Sequence, residues 1–494
     1  MDTAESAGPA TMRSIFAARL SPQHTHMSQS DLFSWNMERD PVLRSTIVSV
    51  LVLDTEPNQD RLLRTIDLGT RIVPRLRHLL VAAPLGLAPP RWALDLDFDL
   101  SWHVRRSVLP EPADMSAVLE FARTEAMTGF DQARPLWRAT VLCGLDGTRC
   151  ALVLTVHHSL TDGIGGIQIA TALLDFDRMG TDHGHPPEPK ADYPNTLRDI
   201  MAWNFAVGSE LVVSGVRSTP PTVRRVLRDP VRAVRDGAAL AGSLVRLARP
   251  ITTTLSPVMT RRGLGRRVSV LDVPLEGLRG AARAAGCTLN DAFLTAVMIG
   301  LRTYHARHGA TLDQLRVTMP ISLRTPGEPL GGNRITLARF ALPAGIAATA
   351  DLMRAVDSAV SGWRREPAIP LSGVVAATLN RLPARVLTEM LKHVDFVASN
   401  VPGSPVPLYI AGARIDRMYS FGPTIGTAVN VTLTSHAGTC NIGVNADTAA
   451  VPDTETLTEC LAEGFATVLR LGSEHASEAA GVARSSYTPR TTGV

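Results

Sequence analysis

Residues 151–163 have the sequence ALVLTVHHSLTDG, and the fold and the chemistry of the chain are predicted from them. The first six are mostly apolar and β-branched, which predicts a buried strand. Two histidines, His157 and His158, follow directly, and Asp162 lies four residues after the second. A glycine-rich turn and a helical segment come next. This order of elements places an imidazole at the end of a core strand, where it can be held fixed in a cleft.

The length and composition indicate a globular protein of two domains. The chain has 494 residues, of which 45% are hydrophobic and 19% are charged, and one core rarely supports this length. Its first ten residues lack the apolar segment of a secretory signal. No apolar run approaches the roughly 20 residues of a membrane span. We therefore expect a cytoplasmic protein that is at most peripherally bound to a membrane.

The order of predicted strands and helices divides the chain into five segments. Residues 28–180 alternate between strands and helices, which predicts an α/β layered domain. Residues 181–267 are rich in proline and arginine and predict a helical linker. A second α/β domain is expected over residues 268–471. Residues 1–27 and 472–494 are predicted to be disordered.

An arginine-rich segment lies within the predicted linker. Twelve arginines and two acidic residues occur between Arg217 and Arg267, a net charge of +10. A solvated helical connector explains this charge without a special role. The segment could instead form a basic amphipathic surface that docks on anionic lipid. It lacks the interleaved aromatic residues of a nucleic-acid-binding module, so we expect no nucleic-acid partner.

The histidine pair allows a metal site, core packing or general-base catalysis. Successive residues of a strand point to opposite faces, so His157 and His158 are poorly placed to share a metal. The five cysteines are scattered without a CxxC pair, and we predict reduced thiols and no metal. Imidazole has a pKa near 6.5 and can accept a hydroxyl proton at neutral pH. Asp162 could orient the ring or lock the turn.

Several nucleotide and nucleophile motifs are missing from the sequence. It contains neither a P-loop nor a G-x-G-x-x-G turn after a strand, which argues against a nucleotide cofactor. It also contains no G-x-S-x-G elbow, which argues against a covalent serine intermediate. We therefore predict direct transfer and no cofactor.

The stretch His157-His158-x-x-x-Asp162-Gly163 resembles the HHxxxDG motif of the CoA-dependent acyltransferase superfamily, which includes condensation domains of peptide synthetases. Other blocks are similar, in the same order, to those of the bacterial wax ester synthase/diacylglycerol acyltransferase family. These blocks are Pro135-Leu136-Trp137, Asn290-Asp291 and Asn400-Val401-Pro402-Gly403. The resemblance spans roughly residues 28–470.

This resemblance implies an α/β fold of two chloramphenicol-acetyltransferase-like domains, one in each predicted domain range, with a tunnel between them. It implies that His158 is the general base, supported by His157 and Gly163. It makes Asp162 a structural brace, for which Arg324 is the candidate partner. The Pro135-Leu136-Trp137 block and the block from Asn400 to Gly403 would shape the substrate channel. Asn290-Asp291 would brace the site.

The implied activity is acyl-CoA-dependent O-acyl transfer, with acyl-CoA as co-substrate. The acceptor would be diacylglycerol, giving triacylglycerol, or a long-chain alcohol, giving a wax ester, or both. Two alternatives are an acyltransferase that uses carrier-protein thioesters and a weakly active lipid-binding paralogue. Peripheral association with the inner membrane face or with lipid droplets would fit such substrates.

Overall fold

The computed structural model describes residues 26–162, 165–166, 169, 173–180, 197–205, 235, 242, 251–322, 335–366, 376–377 and 379–485. Within them the chain forms two six-stranded sheets and one two-stranded sheet. Helices cover the sheets, which is the mixed α/β architecture predicted from the alternation of elements.

The first sheet combines strands from both halves of the chain. In spatial order they are β11 (Tyr409–Ile410), β12 (Ala413–Phe421), β1 (Thr46–Leu53), β6 (Arg149–His157), β5 (Trp137–Leu145) and β4 (Val104–Val108). β1 pairs antiparallel with β6 on one side and with β12 on the other. The predicted range 28–180 therefore needs a correction, because this sheet takes two of its strands from residues 409–421. Those strands cover an edge of β1 that would otherwise be unpaired.

The second sheet belongs to the C-terminal half. Its strands, in spatial order, are β7 (Arg266–Pro274), β14 (Thr439–Asp447), β13 (Val429–His436), β10 (Phe396–Val401), β8 (Gln314–Ser322) and β9 (Ile335–Pro343). These strands and the helices between them form the second α/β layer that was expected over residues 268–471. The small third sheet is the hairpin of β2 (His78–Val81) and β3 (Arg91–Leu94).

Eight helices of eight residues or more have both ends within the described residues. They are α1 (Gln29–Met37), α2 (Gln59–Ile72), α3 (Met115–Met127), α4 (Leu275–Ala285), α5 (Leu289–Arg307), α6 (Thr349–Arg364), α7 (Ala384–Leu391) and α8 (Thr454–Ser485). α5 is buried along most of its length and packs against α8 in the core of the C-terminal half. Among the described residues, no single helix is long and apolar enough to cross a bilayer. Taken together, α4 and α5 have the length and composition of a membrane span, but the two helices meet at a bend of 96°.

The predicted disordered C-terminal tail needs correction, and so does the boundary of the N-terminal one. α8 does not stop near residue 471 but continues to Ser485. The segment after Gly472 contains four alanines and two glutamates, which are strong helix formers. Gly472 lets α8 pack closely on α4, since an added Cβ would lie 2.7 Å from the backbone nitrogen of Ala281. At the other end Met27 is buried and its N–H donates to Pro90 O at 2.9 Å. Residues 1–25 and 486–494 lie outside the described residues, as does most of the predicted linker.

A testable consequence concerns the contact between α5 and α8. A Cβ added at Gly464 would overlap the carbonyl oxygen of Ala296 and lie 2.7 Å from the nitrogen of Gly300. We expect Gly464→Ala to lower the free energy of unfolding by about 1–3 kcal/mol, because the helices must move apart. Denaturant unfolding measures the change. Gly280→Ala is the control, since its Cβ would make only an ordinary contact at 3.9 Å. Equal unfolding midpoints for the two variants would contradict the packing argument.

Candidate active site

A cavity of about 380 Å³ lies between the two sheets. One wall comes from β1, β5, β6 and β12 of the first sheet, and the facing wall comes from β8, β9, β10 and β13 of the second. Helices α1, α2 and α7 close the sides. Most lining side chains are apolar, and polar groups such as His158, Asp162 and Asn400 interrupt them. The cavity therefore occupies the interdomain position that was predicted for the tunnel.

The two histidines leave the end of β6 on different sides. His157 is the last residue of the strand, pairs with Thr46 and is 1% exposed. The backbone N–H of His158 donates to Ser45 O at 2.9 Å, and its side chain lines the cavity. One imidazole thus faces the protein core and the other faces the cavity, as the alternation of a strand predicts.

His157 is held on several sides. Its ring meets the edges of Trp35 and Phe130, with ring centroids 5.8 and 5.9 Å away. Nδ1 lies 2.8 Å from Ser159 Oγ and accepts from the Ser159 backbone N–H at 3.1 Å. Nε2 lies 3.5 Å from Glu38 Oε2. Because Nδ1 accepts a backbone hydrogen bond, the proton of the neutral ring resides on Nε2 and faces Glu38.

Glu38 is a site residue that the sequence did not reveal. Its Oε2 accepts the backbone N–H of Ser45 at 2.8 Å, and the carbonyl of the same Ser45 accepts the backbone N–H of His158. Arg44 Nε lies 3.5 Å from the other carboxylate oxygen. Glu38 therefore holds both His157 and the segment that positions His158. An acidic residue just after a helix carries no pattern from which this role could be predicted.

The surroundings of His158 favour its neutral form. Burial lowers the pKa of the imidazole from its ordinary value, and the nearby carboxylate of Asp162 acts in the opposite direction. Nδ1 is buried and has no hydrogen-bond partner among the described residues. A ring that lines a cavity with Nδ1 buried can reach a ligand only through Nε2. The site therefore presents a neutral imidazole with one accessible nitrogen.

Asp162 fixes the turn after the histidines. Its side chain is fully buried, and Oδ1 accepts the backbone N–H of Gly165 at 2.7 Å. Its carbonyl oxygen accepts the backbone N–H of Gly166 at 2.8 Å. These bonds tie the strand end to the segment that follows it. Gly163 and Arg324, two further predicted site residues, lie outside the described residues.

The Pro135-Leu136-Trp137 block supports the histidine turn from the neighbouring strand. Leu136 is buried, and its carbonyl oxygen accepts the backbone N–H of His157 at 3.0 Å. The indole N–H of Trp137 donates to Leu76 O at 2.7 Å, and the ring lines the cavity. The block therefore contributes to the cavity wall and to the position of the strand end.

Asn290 and Asp291 lie away from the cavity wall, at the first turn of α5. The Asp291 carboxylate accepts the backbone N–H of Thr288 at 2.9 Å and its hydroxyl at 2.5 Å, which completes a capping box. Asn290 Nδ2 lies 4.0 Å from Met319 Sδ. Neither residue lines the cavity. The contacts of Asp291 stabilise the start of α5.

The block from Asn400 to Gly403 ends β10 beside the cavity. Asn400 and Val401 line it, whereas Pro402 is exposed. The backbone N–H of Gly403 donates to Ser435 Oγ at 3.1 Å. A Cβ at residue 403 would overlap the Ser435 carbonyl oxygen, so this close approach requires glycine.

Among the described residues, one cluster of side chains has the residue types that commonly bind metals, and it lies outside the cavity wall. Oxygen or sulfur atoms of Glu56, Cys143 and Cys150 lie within 4.8 Å of one another. Burial raises the pKa of the Cys150 thiol to about 12, so this thiol is protonated at neutral pH. Glu56 is also paired with Arg106. These properties disfavour a metal at this group.

Two layered domains with the histidine turn between them define a fold of the chloramphenicol-acetyltransferase type, as found in condensation domains. The first condensation domain of the CDA synthetase aligns with a TM-score of 0.56 at 17% identity, over 91% of this chain and 96% of that chain. The wax ester synthase/diacylglycerol acyltransferase from Marinobacter aquaeolei VT8 aligns with a TM-score of 0.58 at 22% identity, over 91% and 100%. These likenesses establish the fold.

Sequence comparison identifies the family. The model of the wax ester synthase/diacylglycerol acyltransferase catalytic domain matches residues 27–293, and the model of its C-terminal domain matches residues 331–468. A Mycobacterium tuberculosis protein with the provisional name of a diacylglycerol O-acyltransferase is 35% identical over 441 residues, which are 88% of this chain and 89% of that protein. The chain therefore belongs to this family, and it is an acyltransferase.

The contacts of Glu38 give a testable prediction. We expect Glu38→Ala to lower the free energy of unfolding by about 1–3 kcal/mol, because the N–H of Ser45 loses its acceptor, and to lower acyltransferase activity. Glu38→Gln should lose less, since an amide oxygen can still accept that hydrogen bond. Denaturant unfolding and acyl-transfer rates measure both effects. The exposed Glu276→Ala serves as control, and an unfolding midpoint for Glu38→Ala equal to that of the control would refute the assigned role.

Proposed function

We propose that this acyltransferase moves the acyl group of an acyl-CoA to the hydroxyl of diacylglycerol, of a long-chain alcohol, or of both. The observation that carries the proposal is the side chain of His158 in the wall of a largely apolar cavity between the two domains. An apolar cavity suits substrates that consist mainly of hydrocarbon. The imidazole supplies a base that can accept a hydroxyl proton near neutral pH.

His158 would act as general base through Nε2. The nitrogen takes the proton of the acceptor hydroxyl while the hydroxyl oxygen attacks the thioester carbonyl carbon. The resulting tetrahedral intermediate collapses, the carbon–sulfur bond breaks, and the CoA thiolate takes the proton back from the imidazolium. An ester and free CoA are the products, and no bond to the protein forms. The lowered pKa of His158 suits both steps, because the ring is neutral at the start and returns its proton readily.

The buried residues around the base would stabilise the charge that it acquires. Asp162 is fully buried, and its charge favours the protonated form of His158. Its bonds to the turn hold the carboxylate in place before the reaction begins, so little reorganisation is needed. We assign Asp162 the role of a brace with an electrostatic contribution.

The acceptor is proposed from the family alone. The Marinobacter aquaeolei relative carries both activities in its name, and the Mycobacterium tuberculosis relative is named for diacylglycerol. Both alcohols present one free hydroxyl on a molecule that is largely hydrocarbon. One labelled acyl-CoA offered to diacylglycerol and hexadecanol together separates the two products in a single assay.

The same assay tests His158. We expect His158→Ala to lose ester formation by about 100-fold or more, the usual contribution of a general base. His393→Ala, which lies outside the cavity wall, should retain the wild-type rate. Wild-type ester formation by His158→Ala would eliminate the base assignment. A wild-type protein that uses only a carrier-protein thioester would instead overturn the choice of acyl-CoA as donor.

The pH dependence gives a second readout of His158. A base must be neutral to act, and burial lowers the pKa of this ring below its usual value of about 6.5. The rate constant kcat/KM should therefore be level above that pH and fall only in more acidic buffer. A midpoint above the ordinary imidazole value would contradict this assignment.

Membrane contact is the second part of the proposal, and an exposed helical segment supports it. Leu197, Met201 and Phe205 recur every four residues along the helical segment 197–205 and are 71%, 65% and 79% exposed. The opposite side of the segment is anchored, since Asp199 pairs with Arg91 at 2.6 Å. The arginine-rich stretch follows in sequence. An apolar helix face that is followed in sequence by basic residues favours binding to an anionic lipid surface.

Vesicle binding tests this contact. We expect the protein to sediment with vesicles that contain phosphatidylglycerol, and added salt should weaken the binding. The double variant Met201→Asp and Phe205→Asp should bind several-fold less. Val108→Asp, at an exposed position of the edge strand β4, is the control. Equal binding by the double variant and the wild type would exclude this surface.

A further inference from the structure

One face of β6 forms a continuous path away from the proposed base. Leu152, Leu154, Val156 and His158 alternate along the strand, and all four line the cavity. Side chains two residues apart share a face, so this stripe spans about 20 Å at 3.3 Å per residue. The other three residues of this stripe, Leu152, Leu154 and Val156, are aliphatic. A hydrocarbon chain that leads away from the reacting carbon can therefore lie along this strand.

Helix α2 covers this path from the other side. Its residues Ile66 and Gly69 line the cavity, as does Trp137 on the neighbouring strand β5. We call the space between α2 and this face of the sheet the α2 lobe. Its wall is apolar at these positions, and it begins at the proposed base. It therefore offers a site for one substrate chain.

Gly69 and Leu173 meet at the wall of the α2 lobe. A Cβ built on Gly69 would lie 2.5 Å from Leu173 Cδ1 and 3.2 Å from Cδ2. Leu173 is only partly buried, and both residues line the cavity. The isopropyl group of Leu173 thus occupies space that only a glycine at residue 69 leaves open. A larger residue at 69 must displace that group. Because both residues line the cavity, the displacement changes the space available there.

From this contact we infer that Gly69 and Leu173 together set the length of the hydrocarbon chain that the α2 lobe accepts. The inference rests on the proposed function, since it assumes that His158 marks the reacting end. The chain can belong to the acyl donor or to the alcohol, which have the same chemistry at this distance from the ester. Both residues act by shape and leave the reacting atoms untouched.

Two substrate series test the inference and distinguish the sources of the chain. Acyl-CoAs from eight to eighteen carbons are assayed with one alcohol, and alcohols of the same lengths with one acyl-CoA. Gly69→Ala should shorten the preferred chain in one series. Its kcat/KM for the longest chains should fall about tenfold or more, with short chains unchanged, because one methylene in an apolar pocket changes the rate at least that much. Leu173→Ala should lengthen the preferred chain in the same series.

The double variant Gly69→Ala/Leu173→Ala is the decisive measurement. Removal of the Leu173 isopropyl group should restore the wild-type chain length to Gly69→Ala, since the two side chains compete for one space. Gly362→Ala in α6 is the matched control, because it adds the same methyl group to a helix where nothing lies within 4 Å. Unchanged length profiles in both series, or a double variant no better than Gly69→Ala, would overturn the inference.

A binding readout separates this inference from the proposed reaction. Calorimetry with non-hydrolysable S-alkyl-CoA thioethers and with alcohols of graded length needs no turnover. If the variants shift the preferred chain length in binding while the wild type forms no ester, the proposed reaction is wrong and the assignment of the α2 lobe stands. If the wild type forms ester but the length profiles do not change with substitutions at residues 69 and 173, the assignment of the α2 lobe is wrong and the proposed reaction stands.

Discussion

The antiparallel pairing of β1 with both β6 and β12 is the constraint on which the cavity depends. Pairing with β6 sets Thr46 opposite His157, which brings the Ser45 carbonyl to the backbone of His158. Pairing with β12 adds Met418 and Ser420 to the same wall. A shift by one residue would turn every side chain of a strand to the other face. The register of one strand thus fixes both the position of the proposed base and the wall around it.

The cavity combines two requirements that oppose each other. The proposed substrates are largely hydrocarbon and need an apolar wall, and the same wall penalises charge on the imidazole, which would become protonated in the proposed reaction. The lowered pKa of His158 records this penalty, and the buried charge of Asp162 offsets part of it. The neighbouring ring of His157 avoids the conflict, because it is enclosed by aromatic edges and faces Glu38. The two adjacent histidines therefore occupy different environments.

Local patterns predicted the local structure well. The apolar run of residues 151–156 identified β6, and the alternation of side chains along a strand predicted that the two imidazoles point to opposite sides. The crossing of β12 into the first sheet was missed, because its apolar pattern shows a strand but not its partner. Glu38 and the covering role of α2 were missed for the same reason, since both depend on contacts between distant segments. The tail of α8 was mispredicted, because a polar segment near a chain terminus can still be helical when its residues favour a helix.

The late entry of β12 into the first sheet has a consequence for biosynthesis. β1, β5 and β6 leave the ribosome early, but their sheet lacks two strands until residue 421 has emerged. Until then one edge of β1 is open to pairing with other chains. Pairing between segments so far apart in sequence is also slow. The nascent chain therefore passes through a long interval in which that edge is unprotected, and its N-terminal half is a poor candidate for expression alone.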